Sequence, residues 1–169
     1  APEQFERQVE TRRGSGERVD FAIRLPGQGV EGVVCYLPID AKFPQEDYLR
    51  LVEAHERADL EALEEAAKQL EARIKLEARS IRDKYVEPPG TTDFAVLFLP
   101  TEGLYAEVLR RPALADTLQR EFRVVVAGPT TLAALLNSLQ MGFRTLAIEQ
   151  RSSEVWALLG AVKSEFGKF

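Results

Sequence analysis

A chain of 169 residues, 45% hydrophobic and 29% charged, has the composition of one globular domain with a substantial core. No apolar run approaches the ~20 residues that span a bilayer, and a lone Cys35 and lone His55 exclude an internal disulfide and argue against a zinc centre. The net charge of -5 argues against simple nucleic-acid binding but leaves room for a metal-dependent enzyme, because a bound cation cancels part of its acids' charge.

Residues 1–16 are polar and lack a signal-peptide core, which together with the single thiol points to the cytoplasm. Gln8 to Thr11 reads as a short strand, and Arg12-Arg13-Gly14-Ser15-Gly16 as a turn. Arg18 to Phe43 reads as a β-hairpin whose turn formers lie in Pro26-Gly27-Gln28-Gly29-Val30-Glu31-Gly32. A turn centred near Val30 makes cross-strand partners sum to about 60, which sets Asp20 opposite Asp40. The two-residue strand period puts Asp40 and Lys42 on one face. Pro38 cannot donate to a ladder, so a bulge or an open edge is expected there.

Gln45 to Tyr85 is helical, almost free of glycine and proline, with a break near Ala58 and Asp59 as the cap of a second helix. Leu60, Leu63, Ala67, Leu70, Ile74 and Ile81 form a seam that predicts a long surface helical hairpin. Pro88-Pro89 stops it. Phe94 to Leu99 and Arg123 to Ala127 read as buried strands separated by helix from Glu102 to Arg111, continuing after Pro112. A last helix covers about 131–166, with Gly142 as a possible kink. Strands alternating with helices after a hairpin define an α/β fold with a mixed central sheet and flanking helices, in a single domain over 1–169.

Asp20, Asp40 and Lys42 are the strongest chemical constellation. Phosphodiester hydrolysis needs a deprotonated water and neutralisation of the developing charge. Two carboxylates and the Ala41 main-chain carbonyl are hard oxygen donors suited to Mg²⁺ or Mn²⁺. Lys42 would orient or deprotonate the water, or stabilise that charge. Surface salt bridging is the plain alternative, but interior sheet positions rarely carry unpaired charge. Thr130 and Thr131, after Gly128-Pro129, could hold a phosphate at a helix start, although capping explains the same residues. Arg144 and Arg151, seven apart on a helix, could meet a DNA backbone, with plain exposure as the default.

Val19-Asp20-Phe21-Ala22-Ile23-Arg24-Leu25-Pro26, Ile39-Asp40-Ala41-Lys42, Thr92-Asp93-Phe94 to Leu99-Pro100 and Gly128-Pro129-Thr130-Thr131-Leu132 resemble, in that order, the RmuC family of bacterial DNA recombination proteins. The resemblance covers nearly the whole chain. It implies a restriction-endonuclease-like domain of the PD-(D/E)xK type, with residues 45–86 as a helical insertion, coiled-coil flanks, possible self-association through helices, and DNA as partner. It carries Asp20 onto the first motif acid, and Asp40 and Lys42 onto the acid-any-lysine pair. Val19 stands where the family usually has proline. Nothing here matches the family's upstream Trp-Gly-Glu, and Glu3, Glu6 and Glu10 are poor substitutes for its glutamate. The chain is therefore read as an excised domain short of one acid. A DNA-binding or architectural module without catalysis is the alternative function.

Overall fold

The hairpin strands β2 (Val19–Leu25) and β3 (Cys35–Ala41) pair antiparallel in a computed structural model that describes residues 4–25 and 34–166, without the side chains of 147–150 and 162–166. The expected turn at 26–32 lies outside the described residues. The register pairs Phe21 with Ile39 and Leu25 with Cys35 with no bulge, and its next step sets Asp20 against Asp40. On the outer side β2 pairs with β1 (Phe5–Val9), which begins earlier than expected. On the inner side β3 runs parallel to β4 (Ala95–Phe98), and β4 parallel to β5 (Val124–Ala127). The five-stranded sheet has the order β1-β2-β3-β4-β5.

Pro38 sits in the centre of this sheet without a bulge. The amides of Tyr36 and Lys42 point to the β4 side, donating to the carbonyls of Gly90 and Phe98. Pro38 has the same parity, so its missing donor falls where the chain detours between Thr92 and Ala95 and no ladder partner stands. The ladder is open locally rather than at an edge.

Helices α1 (Gln45–Glu56) and α2 (Leu60–Tyr85) follow β3. Ala58 takes a left-handed φ of 53° between them, and the Asp59 carboxylate accepts from the Ala62 amide at 3.1 Å, one of the donors a helix start leaves unpaired. The hairpin does not lie on the surface as its charged composition suggested. Ala66, Leu70, Ile74, Ala78, Ile81 and Tyr85 are buried along α2 and pack with Ala95, Leu97 and Val124 of the sheet. The seam turns with the helix, so Leu60 at its start is 79% exposed. α2 is thus a core layer, because four large apolar residues on one stripe must find a partner and the sheet offers the nearest.

The chain returns through α3 (Glu102–Leu109) and α4 (Pro112–Phe122), two separate helices because Pro112 starts a new one. Leu104, Val108, Leu114, Leu118 and Phe122 join the same core. Arg123 adopts a left-handed φ of 55° that ends α4, so β5 starts one residue later than expected. α5 (Pro129–Phe166) runs through Gly142. Residues 1–132 form one compact unit and residues 133–169 a second, within which Met141, Trp156 and Leu158 are exposed along the helix. No helix among the described residues is long and apolar enough to cross a membrane.

Candidate active site

Asp40 is 2% exposed at the centre of the sheet, an unusual place for a carboxylate. Its Oδ2 lies 2.9 Å from Lys42 Nζ but receives no well-directed hydrogen bond among the described groups. Burial pushes the Asp40 carboxyl above its ordinary range; Lys42 opposes the rise, while Asp20 and Glu77 add to it. Burial pulls the Lys42 ammonium down, but its close ion pair with Asp40, helped by the charges of Glu77 and Asp20, more than offsets that and leaves it above the usual lysine value. Lys42 is therefore an ammonium at neutral pH. That favours charge stabilisation over proton abstraction among the roles its position suggested.

Asp20 is fixed from two sides. Its Oδ2 accepts the Ala41 amide at 2.9 Å, and its Oδ1 accepts Gln8 Nε2 at 3.2 Å. Gln8 reaches it from a left-handed φ of 51°, a conformation that disfavours residues with a Cβ. Gln8→Gly should therefore raise Tm, since relief of about 1 kcal/mol of backbone strain outweighs one exposed hydrogen bond. A lower Tm in a thermal melt would mean that the Asp20 contact is the stronger term.

α2 brings two residues that sequence reasoning did not connect with the acids. Glu77 has a side chain only 17% exposed, pairs with Arg73 at 3.1 Å, and is near enough to act on both Asp40 and Lys42. Tyr85 is buried, and its phenol is pushed up to about 12 by burial first, then by the charges of Asp40, Glu17 and Asp20. A signal for Glu77 was present. The seam 60, 63, 67, 70, 74, 81 alternates three and four except for one skipped position, which is 77. An acid in an apolar seam marks a helix face that meets charge.

Glu6, one of the three acids weighed as substitutes, pairs with Arg24 and accepts the Tyr36 hydroxyl at 3.0 Å. Glu10 accepts the Gly16 amide. At the start of α5 the Thr130 amide donates to Glu102 Oε1 at 2.6 Å, while the Thr131 hydroxyl bonds the amide and carbonyl of Gly128. Hydrogen bonding from Thr130, through its side chain and then its amide, holds the Glu102 carboxyl below its ordinary range. Gly128 is needed there, because an added Cβ would stand 2.9 Å from Tyr105 and 3.0 Å from Glu102. Arg144 and Arg151 are exposed on α5. Among the other basic residues, Arg12 pairs with Glu87, Lys84 with Glu17, and Arg110 and Arg111 with Glu107.

The donor set is made of hard oxygens beside a lysine, and the buried Asp40 Oδ2 has spare acceptor capacity, so the residues fit a small divalent cation. Among the described residues, however, no three His, Cys, Asp or Glu side chains already cluster closely enough to form a complete cage.

Fold and site together define a mixed α/β domain with two opposed acids, one of them buried, and a lysine at a central strand. The chain belongs to the RmuC family, whose model matches residues 1–169. It is 68% identical over 167 residues to the DNA recombination protein RmuC homolog of Xylella fastidiosa strain Temecula1, covering 99% of this chain and 37% of that relative. The homologs of Chlamydia muridarum and Pseudomonas aeruginosa are 33% identical over 147 residues and 29% identical over 174, covering 85% and 98% of this chain and 31% and 36% of theirs. The chain thus spans about a third of the length of the curated relatives it matches. No solved structure matches it.

Proposed function

We propose that this chain is the catalytic domain of a Mg²⁺-dependent DNA nuclease acting in recombination, on a restriction-endonuclease-like core. The observation that carries the reading is a carboxylate, Asp40, buried at the sheet centre, paired with the partly exposed Lys42 and directly beside a second acid, Asp20. Burying the Asp40 carboxylate costs desolvation that a partly exposed lysine does not fully offset, so chemistry is the better reason for its presence. Asp20, Asp40 and the Ala41 carbonyl would hold Mg²⁺, or Mn²⁺ in its place. The metal, when bound, lowers the pKa of a water and draws charge from the phosphate. Lys42 contributes a fixed positive charge for the phosphate oxygens, and Gln8 keeps Asp20 from turning away. Arg144 and Arg151 would contact the DNA backbone. Phosphate binding at Thr130 and Thr131 would have to displace Glu102.

The family name of the relatives supports DNA recombination as the setting. The same reading puts the protein in the cytoplasm and lets helices flanking this domain bring copies together. A second reading, a non-catalytic DNA-binding module, draws on the incomplete acid cluster. The two separate in one assay of the full-length protein on single-stranded, branched and duplex DNA. Cutting that requires Mg²⁺ supports the nuclease; salt-sensitive binding without cutting supports the module.

A further inference from the structure

The turn that joins β1 to β2 leaves the sheet at the end where the two acids stand. Val9 pairs with Val19, one residue before Asp20, so residues 10–18 project beyond the Asp20–Asp40 pair. The turn is braced against the end of α2. Thr11 Oγ1 donates to the Tyr85 carbonyl at 2.8 Å, and the Arg12 guanidinium donates to the Asp83 carbonyl. Gly14 and Gly16 take left-handed φ values of 78° and 71°, and the Gly16 amide donates to Glu10.

Two arginines of this turn differ from the other cations around them. Acids outnumber bases 27 to 22 over the chain, so a cation without an acid does not reflect a shortage. Among the described residues up to 132, every lysine and arginine is ion-paired except Arg7, Arg13, Arg18 and Arg79. Arg7 and Arg79 lie over the rings of Phe21 and Phe122 instead. Arg13 and Arg18 are exposed and have neither acid nor ring. Arg18 Nη1 donates to the Gln8 carbonyl at 3.1 Å, which ties it to the residue that holds Asp20. The acids of the same turn are engaged elsewhere, Glu10 by the Gly16 amide and Glu17 by Lys84 at 3.3 Å.

We infer that Arg13 and Arg18 form a contact for the phosphate backbone of the DNA strand held at the site. The inference rests on the proposed function, because it takes DNA as the partner. A strand whose reacting phosphate lies at Asp20, Asp40 and Lys42 carries further negative charges on either side of it. A braced turn with two uncancelled guanidiniums supplies charge and directed donors there, with little left to order on binding. It also explains how a chain of net charge -5 can take a polyanion at this end of its sheet.

Fluorescence anisotropy of the full-length protein with labelled duplex and single-stranded DNA, in EDTA over a range of salt, tests it without reference to cutting. Arg13→Ala should reduce the steepness of log affinity against log salt by about 0.9 on duplex or about 0.7 on single strands. Duplex binding should weaken about fivefold at about 0.15 M salt, and about 20–30-fold in Arg13→Ala/Arg18→Ala, with about twice the change in slope. Arg13→Lys, which keeps the charge, should retain the slope. Arg120→Ala removes an arginine already paired with Asp116 on α4 and should change neither quantity. Unchanged affinity and slope in the double variant would overturn the inference and leave the nuclease reading standing. So would weaker binding with an unchanged slope, the mark of a damaged fold, or an equal loss in Arg120→Ala, the mark of diffuse charge. Failure of the unaltered protein to bind either DNA would overturn both readings.

Discussion

Asp40→Ala and Lys42→Ala are each expected to lower Mg²⁺-dependent DNA cutting by about 10²–10⁴-fold, the range for removing one group that acts in the transition state. The two losses should arise differently. Asp40→Ala deletes a ligand oxygen, so raising the metal concentration should recover part of the rate. Lys42→Ala removes a positive charge that also competes with the cation, so metal should bind at least as well while cutting stays low. Lys42 is one-third exposed at its side chain, which makes the Asp40 variant tolerable: the freed ammonium can reach water. Circular dichroism of each variant separates lost chemistry from lost fold. Full cutting by both correctly folded variants would end the assignment of the site.

The same acid should weigh against stability. The Asp40 carboxyl is held above its ordinary range even with Lys42 beside it, so ionising it is harder in the folded chain than in the unfolded one. Between the ordinary aspartate range and that raised value, the native state holds more protons than the unfolded state, and stability falls as pH rises. Above the raised value the whole penalty is present. Asp40→Asn has no charge to desolvate, so it should raise Tm at pH 7, by about 2–4 °C for each kcal/mol relieved in a domain of this size. The gap should narrow as pH falls toward the ordinary aspartate range, where both side chains are neutral. A Tm at pH 7 below that of the unaltered protein would mean that Asp40 is held mainly for its ion pair with Lys42. More stable yet inactive is the pattern of a residue kept for function.

Several features were legible because they are local. The cap at Asp59 and the strand that stops before Gly128 each depend on a few neighbouring residues. Pro38 was half legible: its missing donor was certain, but the detour after Thr92 that accommodates it belongs to another strand. The helical hairpin misled for a similar reason. Its charges are ordinary for an exposed pair, and only the facing sheet reveals that one stripe of α2 is core.

The opposition of Asp20 and Asp40 follows from the sequence alone, because an antiparallel hairpin ties every cross-strand partner to the position of its turn. The same holds for Lys42 beside Asp40, through the two-residue strand period. What surrounds those three was decided by tertiary packing. Glu77 and Tyr85 come from a helix laid across the sheet, and Gln8 from an outer strand in an unusual backbone conformation. No sequence period relates a helix face to the strand beneath it. That relation is set by which apolar stripe finds which sheet face, and here it brings the charge of Glu77 to bear on the Asp40–Lys42 pair.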